Sequence, residues 1–95
     1  MNSQVFVAVH ALLCRFFAAF DKRDWEAMSG CLAGKVFVDY LSSGREPPGF
    51  MTREAFVTNR MTAVDNLKKQ HSFSNLVVKD SSNDHRVGAS CNYLI

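Results

Sequence analysis

The stretch Val5–Phe20 decides most about what this chain can become. Val5, Val9, Leu12, Leu13, Phe16, Phe17 and Phe20 recur at helical spacing and make a broad apolar stripe. A stripe that wide has to be covered by other elements. Asn2 or Ser3 can cap its start, so a first helix is expected over about residues 3–21. Asp21-Lys22-Arg23-Asp24-Trp25 comes immediately after it. Asp24 is a good N-cap for a second, shorter helix on which Trp25, Met28 and Leu32 share a face, with Gly34 as its left-handed stop.

The pattern then changes period. Lys35–Leu41 is β-branched and aromatic, which predicts a strand. Its alternation sends Val36, Val38 and Tyr40 to one face and Phe37, Asp39 and Leu41 to the other. Ser42–Phe50, with Gly44, Pro47, Pro48 and Gly49, has the composition of a loop. Thr52 caps a third helix, expected over Arg53–Leu67, with Phe56, Arg60, Met61, Val64 and Leu67 on one face. Gln70–Lys79 and Arg86–Ile95 are predicted strands of a hairpin around the polar Asp80–Asp84 turn. On the first of them His71, Phe73, Asn75 and Val77 should share a side. Helices and strands are partly segregated, which points to an α+β fold rather than a parallel α/β sheet.

Ninety-five residues make a single domain. The net charge of +2 is small, and apart from Lys68-Lys69 the basic residues are scattered, so nucleic-acid binding has no electrostatic footprint to rest on. No run reaches the ~18 consecutive apolar residues of a membrane span, and Val5–Phe20 lacks the basic leader and cleavage site of a signal peptide. No membrane role is expected. Cys14, Cys31 and Cys91 are odd in number and widely spaced, the pattern of free buried thiols in a reducing, cytoplasmic setting. There is no glycine-rich phosphate loop, nucleophile elbow or His-x-x-x-His metal pair.

Three short stretches carry a resemblance. Phe16-Phe17-Ala18-Ala19-Phe20-Asp21-Lys22-Arg23-Asp24-Trp25, then Val36-Phe37-Val38-Asp39-Tyr40, then Gln70-His71-Ser72-Phe73-Ser74-Asn75 resemble, in order and spacing, the nuclear-transport-factor-2-like superfamily. The likeness is to its SnoaL-like and scytalone-dehydratase-like branch, and it covers most of the chain. It implies an NTF2-like cone: three helices packed on a curved, mainly antiparallel sheet, with a pocket at the wide end. The chain looks short for such a cone at its C-terminus, so the last strands would lie beyond Ile95 or another chain would cover that edge.

The resemblance also assigns roles. Asp21, Tyr40 and His71 match residues that take part in acid–base elimination of water from a ring substrate. Histidine exchanges a proton near neutral pH, and Asp21 at a helix C-terminus opposes the helix dipole, which hints at a purpose. Tyr40 and Asp39 lie on opposite faces of one strand, and Tyr40 is chosen for the pocket because Val36 and Val38 accompany it. The pocket wall is expected to include Phe16, Phe20, Trp25, Val38, Phe73, Asn75 and Ser90. Phe20 replaces the family's tyrosine and Ser90 falls where its second histidine would be. Against steroid-isomerase-like members, Asp39 sits near the proton-moving aspartate, but Phe16 replaces the hydrogen-bond donor. His10 and His85 are expected to be surface residues without a role.

The resulting expectation is a pocket for a small apolar or cyclic molecule, with a lyase, dehydratase or isomerase reaction by acid–base chemistry, no metal or organic cofactor, and a homo-oligomeric assembly. The alternative is a non-catalytic ligand-binding or assembly module on the same fold.

Overall fold

The stripe at the N-terminus forms one continuous helix, α1 (Ser3–Lys22), in a computed structural model that describes residues 3–39, 48–63, 70–80 and 86–94. The way α1 ends sets the position of the next helix. Arg23 takes a left-handed conformation (φ 56°), its N–H donates to Phe20 O (3.2 Å), and the Asp24 N–H donates to Ala19 O (2.9 Å). These are the paired bonds of a Schellman stop, with arginine where glycine is usual. The stop leaves Asp21 in the last turn of α1 and delivers Asp24 directly as the N-cap of α2 (Trp25–Gly30). The Asp24 carboxylate accepts from the Ala27 N–H at 3.2 Å. α2 is shorter than its sequence pattern suggests, because the chain turns through Cys31 well before Gly34.

β1 (Lys35–Val38) pairs antiparallel with β2 (Gly49–Thr52). β2 begins within the last two residues of the stretch expected to be a loop and runs on to Thr52. Gly49 and the neighbouring prolines dominate that composition, yet Phe50 and Met51 still alternate outward and inward. The register sets Val36 opposite Met51 on the covered face and Phe37 opposite Phe50 on the open one. Phe37 and Phe50 remain 58% and 68% exposed, their rings 5.1 Å apart. Directly opposed residues share a face, so one ladder has an apolar inside and an aromatic outside.

Thr52 ends β2 and caps α3 (Arg53–Thr62), accepting from the Ala55 N–H at 3.1 Å. α3 buries Phe56, Val57 and Arg60, the Arg60 guanidinium lying 4.3 Å over the Phe56 ring. Met61, expected on the covered face, is 47% exposed, and Val57 is buried instead. Val64 and Leu67 lie outside the described residues. Arg53 ties the start of α3 to the α2–β1 turn by donating to Leu32 O (3.3 Å), and its backbone N–H donates to Gly34 O (2.9 Å).

The core is the meeting point of α1, α2, β1 and α3: Ala19, Met28, Val38, Phe56 and Val57, with Phe16, Phe20, Trp25, Leu32, Val36 and Met51 packed against them. The second ladder, β3 (Ser72–Asp80) with β4 (Val87–Leu94), is also antiparallel. Among the described residues the strands form two separate two-stranded sheets. The α+β class and its three helices stand; in place of one curved sheet the described residues hold these two ladders.

β3 departs from simple alternation. Between Ser74 and Val77 it carries two residues opposite a single one on β4, a β-bulge, and Asn75 there is left-handed (φ 56°). An extra residue reverses which side chains point inward. Phe73 is half-buried before the bulge, whereas beyond it Val78 is buried and Val77 is half exposed. The expected common face of His71, Phe73, Asn75 and Val77 therefore breaks at Asn75.

The stripe on α1 is not fully covered either: Leu12 is exposed, as is Val7 outside the stripe. By length and composition α1 is apolar enough to cross a membrane. In this structure its C-terminal half packs on α2 and the core and meets β3.

Candidate functional site

Asp21 and His71 are fifty residues apart in sequence, and the fold brings them together. The Schellman stop holds Asp21 in the final turn of α1, facing the start of β3. The His71 backbone N–H donates to both carboxylate oxygens, at 3.0 Å to Oδ1 and 2.9 Å to Oδ2. The imidazole adds a third bond, Nδ1 to Asp21 Oδ1 at 2.5 Å. A carboxylate can only accept, so Nδ1 carries the proton and Nε2 is left as the basic nitrogen. The pair is largely shielded, with side-chain exposures of 6% for His71 and 19% for Asp21.

Aromatic rings fix the imidazole from the other directions. Phe17 stacks on it, 5.6 Å between centroids and 10° from parallel. Phe20 approaches at 4.6 Å and 51°. Both belong to the α1 stripe, four residues and one residue before Asp21, so one helical segment supplies the carboxylate and the ring's packing. These contacts hold one tautomer and one ring orientation, which a positioned base requires.

The pair lies in the wall of an open hollow of about 340 Å³ lined by His10, Cys14, Phe17, Ala18, Asp21, His71, Ser72 and Phe73. That is within the usual range for a small-molecule site. Of the residues singled out from sequence, Asp21, His71 and Phe73 line it. Phe16, Phe20 and Trp25 pack on the core, and Val38 is part of it. Phe20 nonetheless reaches the His71 ring. Asn75 is exposed at the bulge. Ser90 pairs with Val77, and both are exposed on the outward face of the hairpin. Asp39 is exposed as well, and Tyr40 lies outside the described residues.

His10, Cys14, Phe17, Ala18 and Ser72 are lining residues that were not expected from the sequence. His10 is exposed as expected, but it faces this hollow. Its ring stands edge-on to Phe73 at 5.4 Å. Cys14 is exposed rather than buried. The signal was present: positions 10, 14, 17, 18 and 21 fall on one face of a helix, the face that carries Asp21. A second open hollow of about 400 Å³, between α1 and α2, includes Arg15, Lys22, Asp24 and Cys31 in its lining. Among the described residues no three His, Cys, Asp or Glu side chains are grouped to hold a metal ion.

No curated protein and no solved structure matches the chain. The family model of the SnoaL-like domain matches residues 5–95, which takes in all but the first two residues of α1, every later element, and both members of the Asp21–His71 pair. The α+β arrangement agrees with that match, and the chain belongs to the SnoaL-like domain family, within the NTF2-like superfamily.

Proposed function

We propose that this is a small-molecule pocket protein that moves protons on a small apolar or cyclic substrate, as a lyase, dehydratase or isomerase. One observation carries the reading: a carboxylate-clamped imidazole with its Nε2 unclaimed by Asp21, in the wall of a small-molecule-sized hollow. His71 takes a proton from an acidic carbon or returns it to a leaving oxygen. Asp21 is a positioning residue that keeps Nε2 basic and aimed, and it stabilises the imidazolium formed when His71 takes up the proton. Phe17 and Phe73 supply flat apolar walls for a ring. Tyr40 completes the reading as hydrogen-bond donor to a carbonyl or water. A positioned base contributes about 10²–10⁴-fold. The reading includes the family's cone, supported by the antiparallel pairing of both ladders. It also includes a homo-oligomer, supported by the exposed Phe37, Phe50, Val77 and Tyr93, and a reducing, cytoplasmic setting, supported by three free thiols.

The test uses α-proton exchange. A small cyclic ketone in deuterated water is monitored by proton NMR with the wild-type chain and with His71→Gln. Wild type should accelerate exchange and the variant should lose roughly 10²-fold or more of that acceleration. Equal exchange by both proteins would end the acid–base assignment. A non-catalytic binding module is favoured by the near-complete shielding of the His71 ring, since the same clamp also staples α1 to β3. Ketone-induced shifts of Phe17 and Phe73 resonances without exchange would establish that alternative.

A further inference from the structure

Two residues that the acid–base reading leaves idle share its hollow. Cys14 is exposed, whereas Cys31 and Cys91 are half-buried. The Cys14 Sγ lies 3.7 Å from His10 Nδ1. With the imidazole proton on Nε2, the thiol donates to Nδ1. The i,i+4 spacing on α1 makes this contact a direct consequence of the helix. The His10 ring is in turn held between Phe6, stacked at 6.3 Å, and the edge of Phe73 at 5.4 Å. So the thiol has a base beside it and shares an aromatic-walled hollow with that base.

The thiolate is the reactive form of cysteine, and an adjacent base generates it at the moment of attack. Sulfur is a soft nucleophile. The hollow offers the flat apolar walls of Phe17 and Phe73, which suit a planar, conjugated, weakly polar molecule. A conjugated carbonyl compound meets both demands, since its β-carbon is a soft electrophile and its skeleton is flat.

We propose that Cys14 is a nucleophile that captures α,β-unsaturated carbonyl compounds in this hollow, with His10 as its base. The proton on Sγ passes to His10 Nδ1. The sulfur pair forms the S–C bond at the β-carbon, and the C=C π pair moves toward the carbonyl to give an enolate. The imidazolium then returns its proton at the α-carbon. S–H has been added across C=C, no atom is left over, and no oxidant or co-reactant enters. The inference rests on the reading of this hollow as a small-molecule site, but it does not use the Asp21–His71 pair.

The experiment measures adduct formation with 2-cyclohexen-1-one on the full chain, by intact mass and peptide mapping over time. The reference for an ordinary exposed helical thiol is Ala8→Cys in a Cys14→Ser background. Cys14 should react at least about tenfold faster than Cys31, Cys91 and that reference thiol, with a rate that saturates in enone. His10→Gln, checked for folding by circular dichroism, should lower the Cys14 rate about tenfold. A Cys14 rate equal to the reference thiol, or unchanged by His10→Gln, would overturn the proposal. The two assays on the wild-type chain separate the readings, because capture needs Cys14 and His10 whereas ketone exchange needs His71. Capture without exchange in wild type sinks only the acid–base reading, and exchange without capture sinks only this one.

Discussion

Asp21→Asn perturbs the site with almost no change in volume, so its effect is electrical rather than steric. In the native pair one carboxylate accepts three hydrogen bonds, two from the His71 backbone N–H and one from Nδ1. The shielding of both side chains, 6% and 19% exposed, leaves little room for water to replace them. The amide oxygen of asparagine can still accept from the backbone N–H. Placed where Oδ1 lies, that oxygen can accept from Nδ1 as well, but as a neutral acceptor, and the NH₂ group then faces the backbone N–H where Oδ2 accepted. A charge-assisted bond becomes a neutral one, and the loss should be about 1–2 kcal/mol. Asp21→Ala removes the acceptor altogether. It leaves a backbone N–H unpaired at about 1–3 kcal/mol, while Nδ1 escapes the full penalty by changing tautomer. Urea denaturation measures the stabilities. Long-range ¹H–¹⁵N correlation on the imidazole reads the tautomer, which should be Nδ1–H in wild type and Nε2–H in Asp21→Ala. A stability within about 0.5 kcal/mol of wild type for both variants, or an Nε2–H tautomer in the wild-type chain, would refute the clamp as described. Because a neutral amide stabilises the imidazolium less than a carboxylate does, Asp21→Asn should also lower ketone exchange while remaining folded.

Two further predictions concern the scaffold. Met28 is fully buried at the junction of α2 with the core, so Met28→Ala should cost about 2–5 kcal/mol, read as a lower urea midpoint; a cost under about 1 kcal/mol would mean the junction is not the core. Asn75 holds the left-handed position of the β3 bulge, so Asn75→Gly should be tolerated while Asn75→Val should lose about 1–2 kcal/mol; equal stabilities would remove the bulge as the cause of the face reversal.

How much could be read ahead depends on the range of the forces involved. Asp24 and Thr52 act on N–H groups three residues away, and helical and strand periods repeat over a few residues. Caps, helix starts and most elements were legible for that reason. β2 was missed because Pro47, Pro48 and Gly49 dominate a local reading, while Phe50 and Met51 are held by pairing with Phe37 and Val36. The face beyond Asn75 was misjudged because one inserted residue in β3 shows only against its partner β4. Phe16, Phe20, Trp25 and Val38 were apolar residues near the right place, and composition cannot distinguish a core side from a pocket side.

The linear chain by itself determined the helical stripe, its termination before Trp25, the α+β order and the family. It also marked Asp21 and His71 as the polar residues worth watching. Only the tertiary structure decided that these two bond to each other, that His10 and Cys14 share their hollow, and that Asn75 and Ser90 do not. The reason is physical: a side chain's propensity is set by its immediate neighbours, whereas a site is set by distances between segments that only packing brings together.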